Sequence, residues 1–205
     1  DPELIAPALA SPQKFLPGTQ YDYSRTNAVL LGLVIAKVTG RPFASVLEDQ
    51  IIGRLGLGGT RYLPDPVLPP LALPYQINLD TDVAQPFDVS YTAFGPAGGM
   101  SSRLDDMLEW GRVLGTGSLL KKKTQAARLV PHVATSGSDY ATYGLGIGTT
   151  AGWLGYAGAG FGYAAAVYFD PKTATTFAAF ANVQTDKNAA VVLFLNIAAA
   201  IAAAH

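Results

Sequence analysis

Apolar residues recur at helical spacing in several stretches of the first two-thirds of the chain, then give way to Gly-, Ala- and aromatic-rich runs. The clearest helical stretch is 26–39, Thr-Asn-Ala-Val-Leu-Leu-Gly-Leu-Val-Ile-Ala-Lys-Val-Thr, closed by Gly40 as a left-handed stop. Pro42 suits the first turn of a second helix running to 54. A third is expected through 114, capped by Ser101 or Ser102, with Asp105 and Asp106 in the first turn, where the helix dipole favours acids. A short helix around 124–130 follows. Residues 1–20 are Pro-rich and are expected to be irregular. Residues 58–100 hold many prolines and glycines and no long periodic segment. They are expected to form a long excursion wrapping a cleft and ending at Gly95-Pro96-Ala97-Gly98-Gly99-Met100.

Four strands are expected over 143–149, 153–156, 162–169 and 175–182, with Asp170-Pro171-Lys172-Thr173 as the turn between the last two. Residues 162–169 do not sort into polar and apolar sides, which predicts a strand covered on both faces. A closing helix over 187–204 would lie on one face of this sheet. Helices, then an antiparallel meander, then a covering helix indicate an α+β, three-layer architecture. Residues 16–142 form its mostly helical, loop-rich part and 143–205 its strands and last helix. There is no internal repeat.

Composition narrows the classes. Of the 205 residues 49% are hydrophobic, enough for a packed core. A formal charge of −1 leaves no electrostatic footprint for nucleic acid, and the one basic run, Lys121-Lys122-Lys123, reads as a solvated helix start. The absence of cysteine excludes a disulfide framework, a thiol nucleophile and thiolate metal sites. Residues 189–204 are almost wholly apolar, but the run is short, Asn196 interrupts it and half of it is alanine. A helix packed on a sheet fits better than a membrane span.

The segment Tyr21-Asp22-Tyr23-Ser24-Arg25-Thr26-Asn27 runs straight into the first strong helix, between Pro17-Gly18-Thr19 upstream and Leu55-Gly56-Leu57 downstream. With these neighbours it resembles the penicillin-recognising serine hydrolases: class C β-lactamases, D-alanyl-D-alanine carboxypeptidases and related esterases. The resemblance implies a β-lactamase/transpeptidase-like antiparallel sheet flanked by helices, a small-molecule acyl substrate, no cofactor, and a site in the cell envelope or outside the cell. It implies that Tyr23 moves protons to and from an attacking serine. Arg25 stands where the family has Asn. Arg cannot accept a hydrogen bond, so it either enters the cleft to bind a carboxylate or steady a Tyr23 phenolate, or points to solvent with the amide function lost. Tyr156-Ala157-Gly158-Ala159, kept in register by Gly162-Tyr163, stands where the family has Lys or His, then Thr or Ser, then Gly. Gly158 is kept, the cation and hydroxyl are not, and the Ala159 N–H remains available for an oxyanion hole.

The family's nucleophile motif, Ser-x-x-Lys, belongs well upstream of the tyrosine. Ser11-Pro12-Gln13-Lys14 and Ser118-Leu119-Leu120-Lys121 match its spacing, but Pro17-Gly18 halts a helix after the first, and the second falls in a loop position. His132 follows Pro131 without a nucleophile elbow, and Asn78-Leu79-Asp80-Thr81-Asp82 lacks the Gly and distal Glu of a calcium loop, so no triad and no metal is assigned. The resemblance then implies the C-terminal portion of a single β-lactamase-like domain spanning 1–205, incomplete at its N-terminus. Its nucleophile segment would be supplied as a separate or nicked polypeptide. Loss of the Asn and of the cation favours ester substrates over β-lactams or peptides. The alternative is a non-catalytic binding or scaffold protein that keeps the fold.

Overall fold

The computed structural model describes residues 2–16, 19, 22–62, 72–78, 81, 83–86, 91–131 and 140–203. In chain order its elements begin α1 (Pro2–Leu9), α2 (Arg25–Thr39), α3 (Phe43–Leu47), a π-helical turn over Glu48–Ile52, α4 (Gly53–Leu55), β1 (Arg61–Tyr62), β2 (Tyr75–Asn78), β3 (Val83–Pro86), a 3-10 segment over Tyr91–Ala97 and β4 (Met100–Ser101). Then come α5 (Leu104–Thr116), α6 (Lys122–Arg128), β5 (Thr142–Tyr143), β6 (Gly148–Thr150), β7 (Trp153–Gly160), β8 (Tyr163–Asp170), β9 (Thr175–Ala181), β10 (Val183–Gln184) and α7 (Ala189–Ala203). The chain divides into two compact units, Asp1–Leu68 with Ser90–Asp106, and Pro69–Val89 with Met107–His205.

The first unit is helical. α1 corrects the expectation that residues 1–20 are irregular. Pro2 sits in the first turn, where an N–H has no partner anyway, so of its prolines only Pro7 gives up a helical bond. Gly40 (φ 67°) and Gly56 (φ 66°) end α2 and α4 in the left-handed conformation, and the Leu57 N–H returns to the Ile52 carbonyl at 2.9 Å. Gly32 lets α2 approach the 3-10 segment, because a Cβ there would lie 2.4 Å from Pro96 Cγ. Ser102 is not the cap of α5. Its hydroxyl pairs with that of Thr60 at 2.8 Å, and α5 begins at Leu104. Asp106 is buried, so it needs partners. It takes them from the Gly59 N–H and the Thr60 hydroxyl, both at 2.8 Å.

The second unit is built on a five-stranded antiparallel sheet in the order β5-β6-β7-β8-β9. Side chains alternate between its faces. Ala164, Ala166 and Tyr168 of β8 join Trp153 under α7, where the Phe194 ring stacks on Tyr168 with centroids 3.9 Å apart. On the opposite face α5 closes in through glycines. A Cβ on Gly111 would lie 2.6 Å from Val167 Cγ2, and one on Gly115 would lie 2.2 Å from Phe169 Cδ1. β8 is therefore covered on both sides, as its mixed pattern predicts.

Three strand expectations change. Residues 143–149 are not one strand but the hairpin β5–β6, turned at Gly146 (φ 68°) with the Gly144 N–H bonded to the Ile147 carbonyl at 2.8 Å. β7 runs on to Gly160, because pairing with β8 continues through its small residues, which periodicity cannot register. The excursion 58–100 contains β2 and β3, which pair with each other and, through β2, in parallel with β10. These strands are short, and β3 is exposed throughout, so they carry no alternation.

α7 buries Ala190, Val191, Phe194 and Ala198 against the sheet. Among the described residues no single helix is long and apolar enough to cross a membrane. α2 and the helical run Phe43–Leu55 reach that length only together, and they are bent by 83° where they meet.

Candidate functional site

The expected site residues fall in both units, and each group is described within its own. In the first unit Ser24 takes the position before α2 with extended backbone (φ −146°, ψ 128°), and its carbonyl accepts the Asn27 N–H at 3.1 Å. Tyr23 precedes it with its side chain 57% exposed. Arg25 opens α2, and its guanidinium carbon lies 5.5 Å from the centroid of the Phe94 ring in the 3-10 segment. That is cation–π distance, and it lays the arginine along an aromatic face at an exposed position.

Neither Ser-x-x-Lys match lies on a helical turn. Ser11 follows α1 and donates to the Pro7 carbonyl at 3.1 Å, while Lys14 pairs with Asp22. Ser118 lies between α5 and α6, and Lys121 is the residue preceding α6. Pro17, Gly18, Asp80, Asp82, His132 and His205 lie outside the described residues.

In the second unit Tyr156, Ala157, Gly158 and Ala159 are consecutive on β7. One edge of β7 pairs with β8 from Leu154 to Gly160. The other pairs with β6 only from Trp153 to Gly155. Beyond Gly155 no described strand covers that edge. Tyr140 takes its first station, accepting the Ala157 N–H on its hydroxyl at 2.8 Å and donating to the Ala157 carbonyl at 3.3 Å. The backbone groups of alternate residues point to the same edge. The Ala159 N–H and carbonyl therefore point to the edge that Tyr140 meets, one station further along. Gly158 and Ala159 are exposed, and a Cβ added at Gly158 would meet nothing within 4 Å.

The Tyr156 ring belongs to an aromatic cluster. It stacks with Tyr140 at 5.9 Å and meets Tyr143 edge-on at 6.3 Å, with Tyr140 and Tyr143 5.3 Å apart. Gly148 makes room for the cluster, since a Cβ there would lie 2.1 Å from Tyr140 Cδ1. Arg128 donates to the Leu145 carbonyl at 3.3 Å and the Leu114 carbonyl at 3.2 Å. Burial lowers its pKa below the ordinary value, opposed by its interaction with Tyr143.

Two residues beside β7 carry no signal in the motif. Tyr140 precedes a two-residue strand and nothing marks it. Asn188 is legible as a helix cap, but not as a partner of β7. Its Nδ2 donates to the Gly158 carbonyl at 3.0 Å.

Comparison with known proteins converges on one family. The family model described as Beta-lactamase matches residues 2–202. The D-alanyl-D-alanine-carboxypeptidase/endopeptidase AmpH of Escherichia coli K12 is 28% identical over 116 residues, 57% of this chain and 29% of that protein. A D-stereospecific amidohydrolase from Streptomyces sp. superimposes with a TM-score of 0.77 at 28% identity, over 87% of this chain and 55% of that one. The D-amino acid amidase of Ochrobactrum anthropi SV3, in complex with D-phenylalanine, superimposes with a TM-score of 0.78 at 21% identity, over 93% and 61%, a likeness of fold. The chain thus spans under a third of the carboxypeptidase's length and about 60% or less of these two solved chains.

Proposed function

The chain belongs to the β-lactamase family, and from that premise we propose that it carries the tyrosine and the oxyanion strand of a serine acyl hydrolase. The serine would come from a Ser-x-x-Lys segment that the two matches in these residues do not supply. It attacks the carbonyl of an ester or amide, and the Ala159 N–H donates to the oxygen as negative charge develops there. A preorganised donor of this kind contributes about 3–4 kcal/mol to transition-state stabilisation. Tyr23 takes the serine proton and delivers it to the leaving group. A phenol titrates near pH ~10 in water, so this role needs a cation beside it.

The observation that supports this function is the edge of β7 at Ala159, which no described strand covers. A backbone donor there survives the replacement of the family's cation and hydroxyl by Tyr156 and Ala157. The names of the relatives add the substrate class: carboxypeptidase, amidohydrolase and amidase describe hydrolysis at D-configured residues. With Tyr156 in an aromatic cluster, β7 offers no cation to a substrate carboxylate, so uncharged esters and amides come ahead of D-alanyl peptides and β-lactams. Action in the cell envelope or outside the cell belongs to the same proposal.

The test uses the full-length protein and four substrates: a short-chain p-nitrophenyl ester, D-phenylalanine amide, a D-alanyl-D-alanine peptide and a chromogenic cephalosporin. The ester or the amide should give the highest kcat/KM, and Tyr23→Phe should lower it about 10²–10⁴-fold, the usual worth of a positioned proton-transfer group. Efficient cephalosporin turnover would overturn the preference for uncharged substrates. Failure on all four would leave the non-catalytic reading, which the residues at positions 25, 156 and 157 favour.

A further inference from the structure

Asn188 stands immediately before α7, and its two amide ends do different things. Oδ1 accepts the Ala190 N–H at 3.1 Å and the Val191 N–H at 3.2 Å, two donors that the first turn of a helix leaves without partners. With the oxygen committed to the helix, the NH₂ group is turned away from it, and it meets the Gly158 carbonyl at 3.0 Å. The network, not an arbitrary assignment of O and N, sets the orientation of the amide.

The Gly158 carbonyl and the Ala159 N–H are the two ends of one planar trans peptide, so fixing one fixes the other. Gly158 has no Cβ and open space where one would be. Its carbonyl faces β8, where Gly158 is in register with Ala165, so Asn188 is a second hold on a peptide that the ladder already grips. Without a Cβ at Gly158 the peptide is freer to tilt within the ladder, and a tilted Ala159 N–H would aim away from the oxygen it is to meet. A bond accepted at the carbonyl also polarises the peptide and strengthens its N–H as a donor.

We propose that Asn188 is a positioning residue for the acyl-transfer site: it ties the start of α7 to the Gly158–Ala159 peptide and, together with the pairing to β8, holds the aim of the Ala159 N–H on the β7 edge that no described strand covers. Its catalytic consequence rests on the serine acyl hydrolase function proposed above. Its structural content does not.

Asn188→Asp tests it, because the carboxylate keeps the capping oxygen and suits the helix dipole, yet has no donor and sets negative charge against the Gly158 carbonyl. Asn188→Ser keeps an uncharged cap and covers the case in which the aspartate variant does not fold. Gly158-Ala159 is the single Gly-Ala step in these 205 residues. Carbonyl-¹³C glycine with ¹⁵N-alanine labelling of the full-length protein therefore isolates this peptide among them. In both variants the paired Gly158 carbonyl and Ala159 amide resonances should move while α7 keeps its helix signal. With D-phenylalanine amide or a p-nitrophenyl ester, kcat should fall about tenfold, less than for loss of an oxyanion donor itself, with KM little changed. Wild-type resonances in both variants would overturn the proposal. Shifted resonances with kcat intact would remove its catalytic consequence. If the wild type turns over no acyl substrate, the proposed function fails, and the resonances still decide whether Asn188 holds the peptide.

Discussion

The strand that carries Ala159 and the helix start that carries Tyr23 are held in opposite ways. β7 is paired residue by residue with β8 from Leu154 to Gly160, and β8 is clamped between α7 on one face and the glycines of α5 on the other. α2 buries Val29 and Gly32 and leaves Leu31 61%, Val34 54% and Val38 80% exposed, with Tyr23 open just before it. The difference separates two kinds of chemistry. A backbone donor on a strand paired along its length with β8 depends little on which side chains its own strand carries. A phenol on a thinly packed helix start acts only as its surroundings allow. Under the proposed function, Tyr156 and Ala157 would leave the Ala159 donor in place, whereas Arg25 in place of the family's Asn would change what Tyr23 can do.

The sharpest way to break this contrast is Gly155→Ala. The added Cβ would lie 2.1 Å from the Val167 carbonyl oxygen and 2.5 Å from Tyr168 Cδ1, inside a ladder that offers no slack. A loss of about 3 kcal/mol or more in urea unfolding of the full-length protein is expected, at the upper end of overpacking costs. A variant within about 1 kcal/mol of wild type would show that β7 is looser than its pairing implies. Gly32→Ala is the matching change in the other unit. The Cβ meets Pro96 Cγ at 2.4 Å, but Pro96 sits in a 3-10 segment that can shift, and alanine returns about 1 kcal/mol of helix propensity. A net loss near ~1 kcal/mol is expected. A loss as large as that of Gly155→Ala would mean that the two units are equally stiff.

The sequence carries more of the second unit than of the first. β8 and β9, the covering helix and the turn at Asp170 are legible because their residues recur at spacings that burial demands, and that burial is present. The end of β7 is not legible, since Ala-Gly-Ala-Gly has no periodicity and its strand state comes from pairing with β8. The family motif locates Tyr23, Arg25 and the Gly158 strand, but a motif names residues and not the contacts that orient them. Tyr140 on Ala157, Asn188 on Gly158 and Asp106 on Thr60 join residues 17, 30 and 46 positions apart in sequence. Nothing local to either member of such a pair encodes the other. The helix α1 is hidden for a different reason: proline reads as a breaker, although Pro2 lies in a first turn where it costs little.

Asp170 offers the finest probe of the stiff unit. It closes the turn between β8 and β9, with Oδ1 accepting the Lys172 N–H at 2.9 Å and Oδ2 accepting the Thr173 hydroxyl at 2.7 Å. The Lys172 N–H first, and then the Thr173 hydroxyl and N–H, hold its pKa below the ordinary carboxylate value, against an opposing push from burial. A carboxylate whose folded pKa is depressed binds protons more readily in the unfolded chain. Its contribution to stability is therefore complete above the unfolded value, about pH 4, and is lost as pH falls through the folded one. The amide side chain of the Asp170→Asn variant can still accept from Lys172, but it has no charge and no second acceptor for Thr173. At neutral pH the variant should be slightly less stable than wild type, by the smallest margin of the three substitutions. Below about pH 4 the gap should close, because protonated aspartic acid and asparagine make nearly the same contacts. Urea midpoints of both proteins from about pH 7 down to about pH 3 measure it. A gap that stays constant across that range would show that the turn is held by its shape alone, and that the sheet behind Ala159 owes nothing to the charge at its far end.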